Sequence, residues 1–239
     1  MFLGDITNMK RSVFVLFLFF LWTTGVSAQW RVGAYGGIDW SKRSINPGYS
    51  YSLARTERAG GVAGITSQYA FKEWLSVRMD LNAQWRKYTD KYSVLEIEYR
   101  YDNMYLTLPV MASFSFGGDM LRGYADGGAY VGLWCTQCID SRQRSMTEYD
   151  STDHPGHGYA EYSESGFSKA DRRFDAGIVG CMGISYKIMA SLEINIECML
   201  YYGLTDSHNT GSSKFVQPSY YTIPCINMGV AWVLDNKSK

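Results

Sequence analysis

The sequence predicts an all-β fold, an eight-stranded antiparallel transmembrane β-barrel with short periplasmic turns and long extracellular loops. Three observations predict it. An export signal opens the chain, eight segments alternate apolar and polar residues with a period of two, and the connections between them are alternately short and long. Two-residue periodicity indicates strands whose two faces meet different surroundings.

Residues 1–28 are interpreted as an N-terminal extension plus a secretory signal peptide. The basic pair Lys10-Arg11 precedes an apolar run from Val13 to Trp22, and Val26-Ser27-Ala28 offers a small-residue cleavage site. The run is too short to span a bilayer as a helix, which takes roughly 20 residues. We therefore expect translation to start at Met9 and cleavage to follow position 28. An uncleaved N-terminal anchor is the alternative.

The remaining residues, 29–239, are predicted to form one outer-membrane β-barrel domain. The chain is 15% aromatic, with 24 Gly and 19 Tyr but 5 Pro, a composition that favours an all-β protein. Its 23 basic and 23 acidic residues balance, so there is no electrostatic argument for a nucleic-acid partner.

The alternation is strict in some segments and weaker in the second and eighth. Leu75, Val77 and Met79, for example, alternate with Ser76 and Arg78. The predicted strands are Trp30–Ser41, Gly61–Phe71, Leu75–Arg86, Tyr105–Phe116, Leu121–Trp134, Phe174–Tyr186, Leu192–Tyr201 and Tyr220–Leu234. Their lengths suit tilted strands, which need roughly 9 to 11 residues to cross a bilayer.

The connections fall into two classes. Those at 72–74, 117–120 and 187–190 are short. The predicted long loops are Lys42–Gly60, Lys87–Asn103, Cys135–Asp171 and Gly203–Pro218. Short turns at one end and long loops at the other are typical of outer-membrane barrels, with the short turns in the periplasm.

The apolar face is predicted to face lipid. It carries no charged residue, and the opposite face mixes charges with Gly and Tyr, which suits a crowded interior. Six tryptophans lie near strand ends, as interfacial girdles require. Trp30, Trp74 and Trp232 belong to the turn side, and Trp40, Trp85 and Trp134 to the loop side. The alternative is a periplasmic, lipocalin-like ligand binder with its faces reversed.

The polar face of the predicted barrel would point into the lumen with charges of both signs. These residues are Arg31, Asp39, Arg78, Asp80, Arg86, Arg122, Asp126, Asp175, Glu193 and Glu197. Buried charges are tolerated when they pair with one another. We therefore predict a lumen plugged by a salt-bridge network, with a narrow proton or ion path as the alternative.

Four stretches resemble the PorT-like outer-membrane barrel proteins of Bacteroidota. They are Tyr105–Val110, Phe174–Gly180, Tyr201–Asp206 and Asn227–Trp232. The resemblance covers nearly all of the chain after the signal peptide. It implies an eight-stranded outer-membrane barrel with no known enzyme activity, and one named member of that group takes part in type IX protein secretion.

Two cysteines, Cys135 and Cys138, open the longest predicted loop. A local disulfide between them is favoured over a zinc site completed by His154 and His157, because the two histidines are closer together than zinc sites usually have them. We expect no catalytic, cofactor-binding or metal site.

The expected function is that of a non-enzymatic barrel in the outer-membrane lipid. Its extracellular loops, chiefly Cys135–Asp171, are expected to contact a partner at the cell envelope. The alternatives are an accessory component of a type IX-like secretion machine and a narrow pore. The sequence gives no oligomeric state.

Overall fold

A computed structural model describes residues 29–44, 53–92, 97–145, 158–167, 173–205 and 220–234. The strands are β1 (Gln29–Trp40), β2 (Lys42–Ser44), β3 (Leu53–Lys72), β4 (Leu75–Tyr92), β5 (Ile97–Gly117), β6 (Leu121–Ser145), β7 (Gly158–Ser165), β8 (Phe174–Met189), β9 (Leu192–Gly203) and β10 (Tyr220–Leu234). Within those ranges, no helix has both the length and the apolar character to cross a membrane.

Eight of these strands close into a barrel, which confirms the predicted fold class. Their order is β1-β3-β4-β5-β6-β8-β9-β10, and every neighbouring pair is antiparallel. The first and last strands pair with each other from Trp30 opposite Leu234 to Asp39 opposite Cys225. This seam leaves no open sheet edge around the barrel, so backbone polar groups are paired within the protein.

The other two strands extend the barrel on the loop side. The short strand β2 pairs with the beginning of β10, next to the end of β1. Strand β7 pairs with the upper part of β6, from Cys138 opposite Ser165 to Ser145 opposite Gly158. Below that level β6 pairs with β8 instead.

Several of the predicted long loops are wrong because the strands continue through them. The segment Lys87–Asn103 is mostly strand, with β4 and β5 paired from Lys87 opposite Asp102 to Tyr92 opposite Ile97. Strand β3 begins at Leu53, inside the predicted loop 42–60, and β6 runs on to Ser145. These extensions lack apolar alternation because neither face needs to meet lipid, and cross-strand charge and aromatic pairs support them instead.

The predicted short turns are present. Residues 72–75, 117–121 and 189–192 connect consecutive strands, and Gly117 adopts a φ of 121°, which favours glycine. These turns lie at the same end as Gln29 and Leu234, since antiparallel strands alternate in direction. The opposite end carries the longer connections.

The apolar face is the exposed one, so the lipocalin-like alternative is wrong. On β4, Val77 is 39% exposed and Met79 is 46% exposed, whereas Arg78 between them is 5% exposed. The same inversion repeats on every barrel strand. An outward apolar belt over a polar interior is the arrangement that hydrocarbon requires.

Tryptophans mark both edges of this belt. Trp30, Trp74 and Trp232 are exposed on the turn side, and Trp85 is exposed on the loop side. Trp134 was wrongly assigned to the loop-side girdle, because it is buried and paired with Tyr105 on the inward face. A β-bulge comes immediately after Trp134 on β6. Thr136 pairs with Met104, so Cys135 is the additional residue.

The β1–β10 seam predicts a difference between two adjacent glycines. A Cβ atom on Gly37 would collide with the carbonyl oxygen of Ile226 and lie 2.8 Å from Asn227 Cα, whereas one on Gly36 meets nothing nearer than 3.7 Å. Gly37→Ala should therefore lower the free energy of unfolding by about 1–3 kcal/mol. Gly36→Ala should stay near wild type. Urea unfolding in micelles, followed by heat-modifiable gel mobility, measures both, and equal midpoints would contradict the assigned seam.

Candidate functional site in the barrel lumen

The turn-side half of the lumen is organised around Arg78. This side chain projects inward from β4, and its guanidinium contacts carboxylates from three strands. Arg78 Nη1 lies 2.7 Å from Glu197 Oε2 and 3.1 Å from Asp126 Oδ2, and Nη2 lies 2.9 Å from Asp80 Oδ2. The planar arginine fork, with five N–H donors, suits several carboxylates at once.

Neutral side chains complete the hydrogen bonding of these carboxylates. Tyr124 donates its hydroxyl proton to Glu197 at 3.0 Å, and Asn227 donates an amide proton to the same carboxylate at 3.2 Å. Tyr35 donates to Asp80 at 3.4 Å. The cluster thus includes β1, β4, β6, β9 and β10, so it fixes strands on all sides of the barrel relative to one another.

The loop-side half is organised around Arg86, which is fully buried. Arg86 Nη1 lies 2.8 Å from Asp175 Oδ2, and its Nε and Nη2 both donate to Gln84 Oε1. The guanidinium carbon lies 3.9 Å from the centre of the Tyr105 ring and 5.5 Å from that of Tyr221. The cation is therefore held by one carboxylate and by aromatic faces, which attract it electrostatically.

An aromatic group covers Arg86 on the loop side. The Trp134 ring stacks on Tyr105 with 5.5 Å between ring centres, and Phe167 packs edge-on against Trp134 at 5.2 Å. Arg173 lies 4.7 Å from the centre of the Phe167 ring. Phe167 belongs to the segment after β7, and it packs against the inward-facing Trp134 at the loop-side end of the lumen.

A buried layer of aromatic, methionine and isoleucine side chains fills the lumen next to the two arginine clusters. Its members are Met111, Tyr130, Met199, Tyr201 and Ile223. The Tyr130 hydroxyl donates a hydrogen bond to Asp175, and the Tyr201 hydroxyl accepts a hydrogen bond from the Asn82 amide at 3.0 Å.

Four residues of the predicted network lie apart from these clusters. Arg31 and Glu193 form a separate pair near the turn-side mouth, with 4.0 Å between Nε and Oε2. Arg122 does not join the network, because it lies at the turn and donates to the Gly118 carbonyl oxygen. Among the described residues Asp39 forms no ion pair, although its buried carboxylate lies against Gly60 and interacts electrostatically with Arg86.

The predicted network contained only charged residues, so it left out the neutral members of the site, although Tyr35, Tyr124 and Tyr130 were expected on the inward face. The neutral members are Tyr35, Asn82, Gln84, Thr107, Tyr124, Tyr130, Tyr201, Tyr221 and Asn227. Each occupies an inward position of its strand, so the two-residue alternation that assigned the charges could also have identified these residues.

A small polar cavity opens on the turn side of the Arg78 cluster. It has a volume of about 40 Å³, and Arg31, Gln68, Ser113, Asp126 and Glu193 are among its lining residues. That volume suits about three water molecules. On the loop side of this cavity the lumen is occupied by the buried layer and by Arg86.

The predicted disulfide between Cys135 and Cys138 is contradicted, because both thiols are free. Both residues lie in β6, where a separation of three residues corresponds to roughly 10 Å, beyond the roughly 7 Å that a disulfide can bridge. His154 and His157 lie outside the described residues. Among the residues that are described, no group of three His, Cys, Asp or Glu side chains could hold a metal ion.

Removing Arg78 should be costly, because three buried carboxylates would lose their cation. We expect Arg78→Met to lower the free energy of unfolding by about 3–5 kcal/mol. Arg122→Met is the matched control and should cost less than about 0.5 kcal/mol, as is usual at a surface position. Urea titration of the refolded protein in micelles measures both variants. Equal losses would show that Arg78 does not hold the lumen together.

Both loop-side thiols should react without prior reduction. Alkylation of the unreduced protein, followed by peptide mapping, should find Cys135 and Cys138 each modified, with the same pattern in a reduced sample. If a peptide carried both cysteines unmodified until a reductant was added, the two cysteines would be shown to form the predicted disulfide.

Three comparisons relate this barrel to known proteins. The structure is similar to OprG from Pseudomonas aeruginosa, with a TM-score of 0.53 and 14% identity over 87% of this chain and 96% of that one. It also resembles Ail from Yersinia pestis, with a TM-score of 0.42 and 13% identity over 85% of this chain and 98% of that one. Neisserial surface protein A matches with a TM-score of 0.44 and 13% identity over 85% and 96% of the two chains.

Identities this low show the fold and nothing more specific. No curated protein matches the sequence. A family model described as the outer membrane protein beta-barrel domain matches residues 18–209, which is most of the chain. The charged, filled lumen and the outward apolar belt are therefore those of an outer-membrane protein, and the chain belongs to the outer membrane protein beta-barrel domain family.

Proposed function

We propose that this protein is a non-enzymatic outer-membrane barrel with a plugged, non-conducting lumen, which acts through its extracellular side as a structural and interaction protein. The observation that carries the proposal is the complete burial of Arg86 between Asp175, Gln84 and two tyrosine rings. A side chain held in this way closes the lumen at one level, and the Arg78 cluster closes it at another.

Opening a path would require both clusters to separate. Each guanidinium would leave its carboxylates in a low-dielectric interior, where an unpaired charge is strongly unfavourable. The buried Met, Tyr and Ile side chains of the adjacent layer fill the lumen next to the clusters. These costs support a resting barrel that passes neither ions nor solutes.

The extracellular side supports a role in contacts with other molecules. Strands β3 to β7 continue past the barrel, and Tyr162 on β7 is 69% exposed. Exposed tyrosine is frequent where proteins bind partners, because it offers a large apolar area with a polar tip. The extracellular part of the β6–β7 pair, Cys138–Ser145 with Gly158–Ser165, is therefore the proposed contact region for an envelope partner.

Membership of the PorT-like group and a role in a type IX-like secretion machine stay predictions. A pull-down from crosslinked membranes separates this role from the general one. Secretion-machine subunits among the crosslinked partners would support it, and their absence beside other envelope proteins would count against it.

Planar bilayer recordings test the plugged lumen. Refolded protein that passes the heat-modifiability test should give no conductance steps, because both arginine clusters block the path. An open porin in the same bilayers serves as the positive control. Reproducible steps from the folded wild-type protein would overturn the proposal and favour the narrow-pore alternative.

A further inference from the structure

Two ion-pair triads lie on the outward face of the β3–β5 extension. In the first, Asp102 contacts both Arg58, at 3.1 Å from Nη1, and Lys87, at 3.4 Å from Nζ. In the second, Glu98 contacts both Lys91, at 3.4 Å from Nζ, and Arg100, at 3.0 Å from Nε. One carboxylate is shared by two cations in each triad, so each triad carries a net charge of +1.

The first triad lies directly beyond the lipid-facing belt. Lys87 follows the outward Trp85 by two residues on β4, and it pairs across to Asp102, which precedes the outward Met104 by two residues on β5. Two residues of a strand span roughly 7 Å. Because tryptophan prefers the membrane interface, the first triad lies at the depth of the lipid head groups. The second triad follows four residues further along each strand.

The outward face remains positive when its neighbours are included. Asp140 and Arg142 on β6 pair with Arg100 and Glu98 and add one charge of each sign. The whole chain, by contrast, has a formal net charge of zero. The excess of basic groups is therefore local to this side of the barrel.

The basic groups of the triads can accept a second anionic partner. The Lys91 side chain is 54% exposed and the Arg100 side chain 49%, while Arg58 and Lys87 are about one-third exposed. An ammonium group has three N–H donors, and a contact with one carboxylate does not use them all. Phosphate oxygens, with their high charge density, are suitable acceptors for the remainder.

We propose that this outward face, formed by Arg58, Lys87, Lys91 and Arg100, binds the phosphate groups of the phosphorylated glycolipid in the outer leaflet. Charge complementarity supports this occupant for all four groups, and depth supports it for Arg58 and Lys87, which lie where a membrane lipid presents its phosphates. The proposal does not depend on whether the lumen conducts. A conducting wild-type barrel would overturn the proposed function and leave this inference intact.

Because two basic residues share each carboxylate, one lysine can be neutralised in each triad without leaving the carboxylate unpaired. Lys87→Gln leaves Asp102 paired with Arg58, and Lys91→Gln leaves Glu98 paired with Arg100. The double variant Lys87→Gln/Lys91→Gln should therefore fold as the wild type does. The matched control is Lys72→Gln/Lys187→Gln, which removes two lysines at the turn end of the barrel. Heat-modifiable gel mobility confirms that each variant forms the closed barrel.

The test measures binding of bisphosphorylated lipid A to the folded protein in nanodiscs of zwitterionic phosphatidylcholine at low salt. The affinity of the double variant should fall roughly fivefold for each lysine removed, and more salt should weaken the wild type in the same way. The turn-end control should stay within twofold of wild type. Lys87→Arg/Lys91→Arg, which keeps the charges, should restore binding.

Three results would overturn the inference. The double variant could bind lipid A as tightly as the wild type does. Dephosphorylated lipid A could bind as well as the phosphorylated form, which would place the contact on the acyl chains. Inorganic phosphate at low millimolar concentration could displace the lipid, which would indicate a site for small soluble anions.

Discussion

Closure of the sheet by the pairing of β1 with β10 is the constraint on which the rest of the structure depends. Hydrocarbon offers no partner for a backbone N–H or C=O group, so a strand edge cannot remain open there. Ten consecutive residue pairs, from Trp30–Leu234 to Asp39–Cys225, remove that edge. The close approach of these strands also explains Gly37, where a side chain would occupy the space of the β10 backbone.

Closure with eight strands leaves an interior as wide as a few side chains, and this determines the chemistry inside. Outward positions must be apolar, so inward positions receive the polar residues, and those residues must satisfy one another. Arg78 satisfies three carboxylates from β4, β6 and β9, while Arg86 combines one carboxylate with two tyrosine rings. Each arginine thus connects strands far apart in sequence, which adds to the stability of the closed state.

The barrel strands could be predicted from the sequence because the two-residue alternation of apolar and polar residues is strict where lipid lies outside the strand. Strand β10, Tyr220–Leu234, is observed with its predicted bounds. The extracellular extensions were not accessible by the same argument. Between Lys87 and Asn103 both faces meet polar surroundings, so the alternation that marks a strand in the membrane disappears although the backbone pairing continues.

The site in the lumen could be predicted only in part from the same alternation. Alternation assigns a side chain to the inside, but it does not give the height at which the side chain lies or the partner that it meets. Arg122 and Arg78 share the inward parity, yet one ends at the turn and the other at the centre of a cluster. Trp134 shows the complementary difficulty, because the alternation puts it on the inward face with Tyr130, whereas its position near a strand end suggested the interfacial girdle.

The described barrel strands extend to different heights on the extracellular side, so the barrel is asymmetric within the membrane plane. Strands β3 to β6 rise well past the belt, while β8 begins at Phe174 and β9 ends at Gly203, close to its edge. Considering the described residues alone, a neighbouring membrane protein could approach the low side along bare hydrocarbon-facing surface, whereas on the tall side it would meet a polar sheet above the lipid.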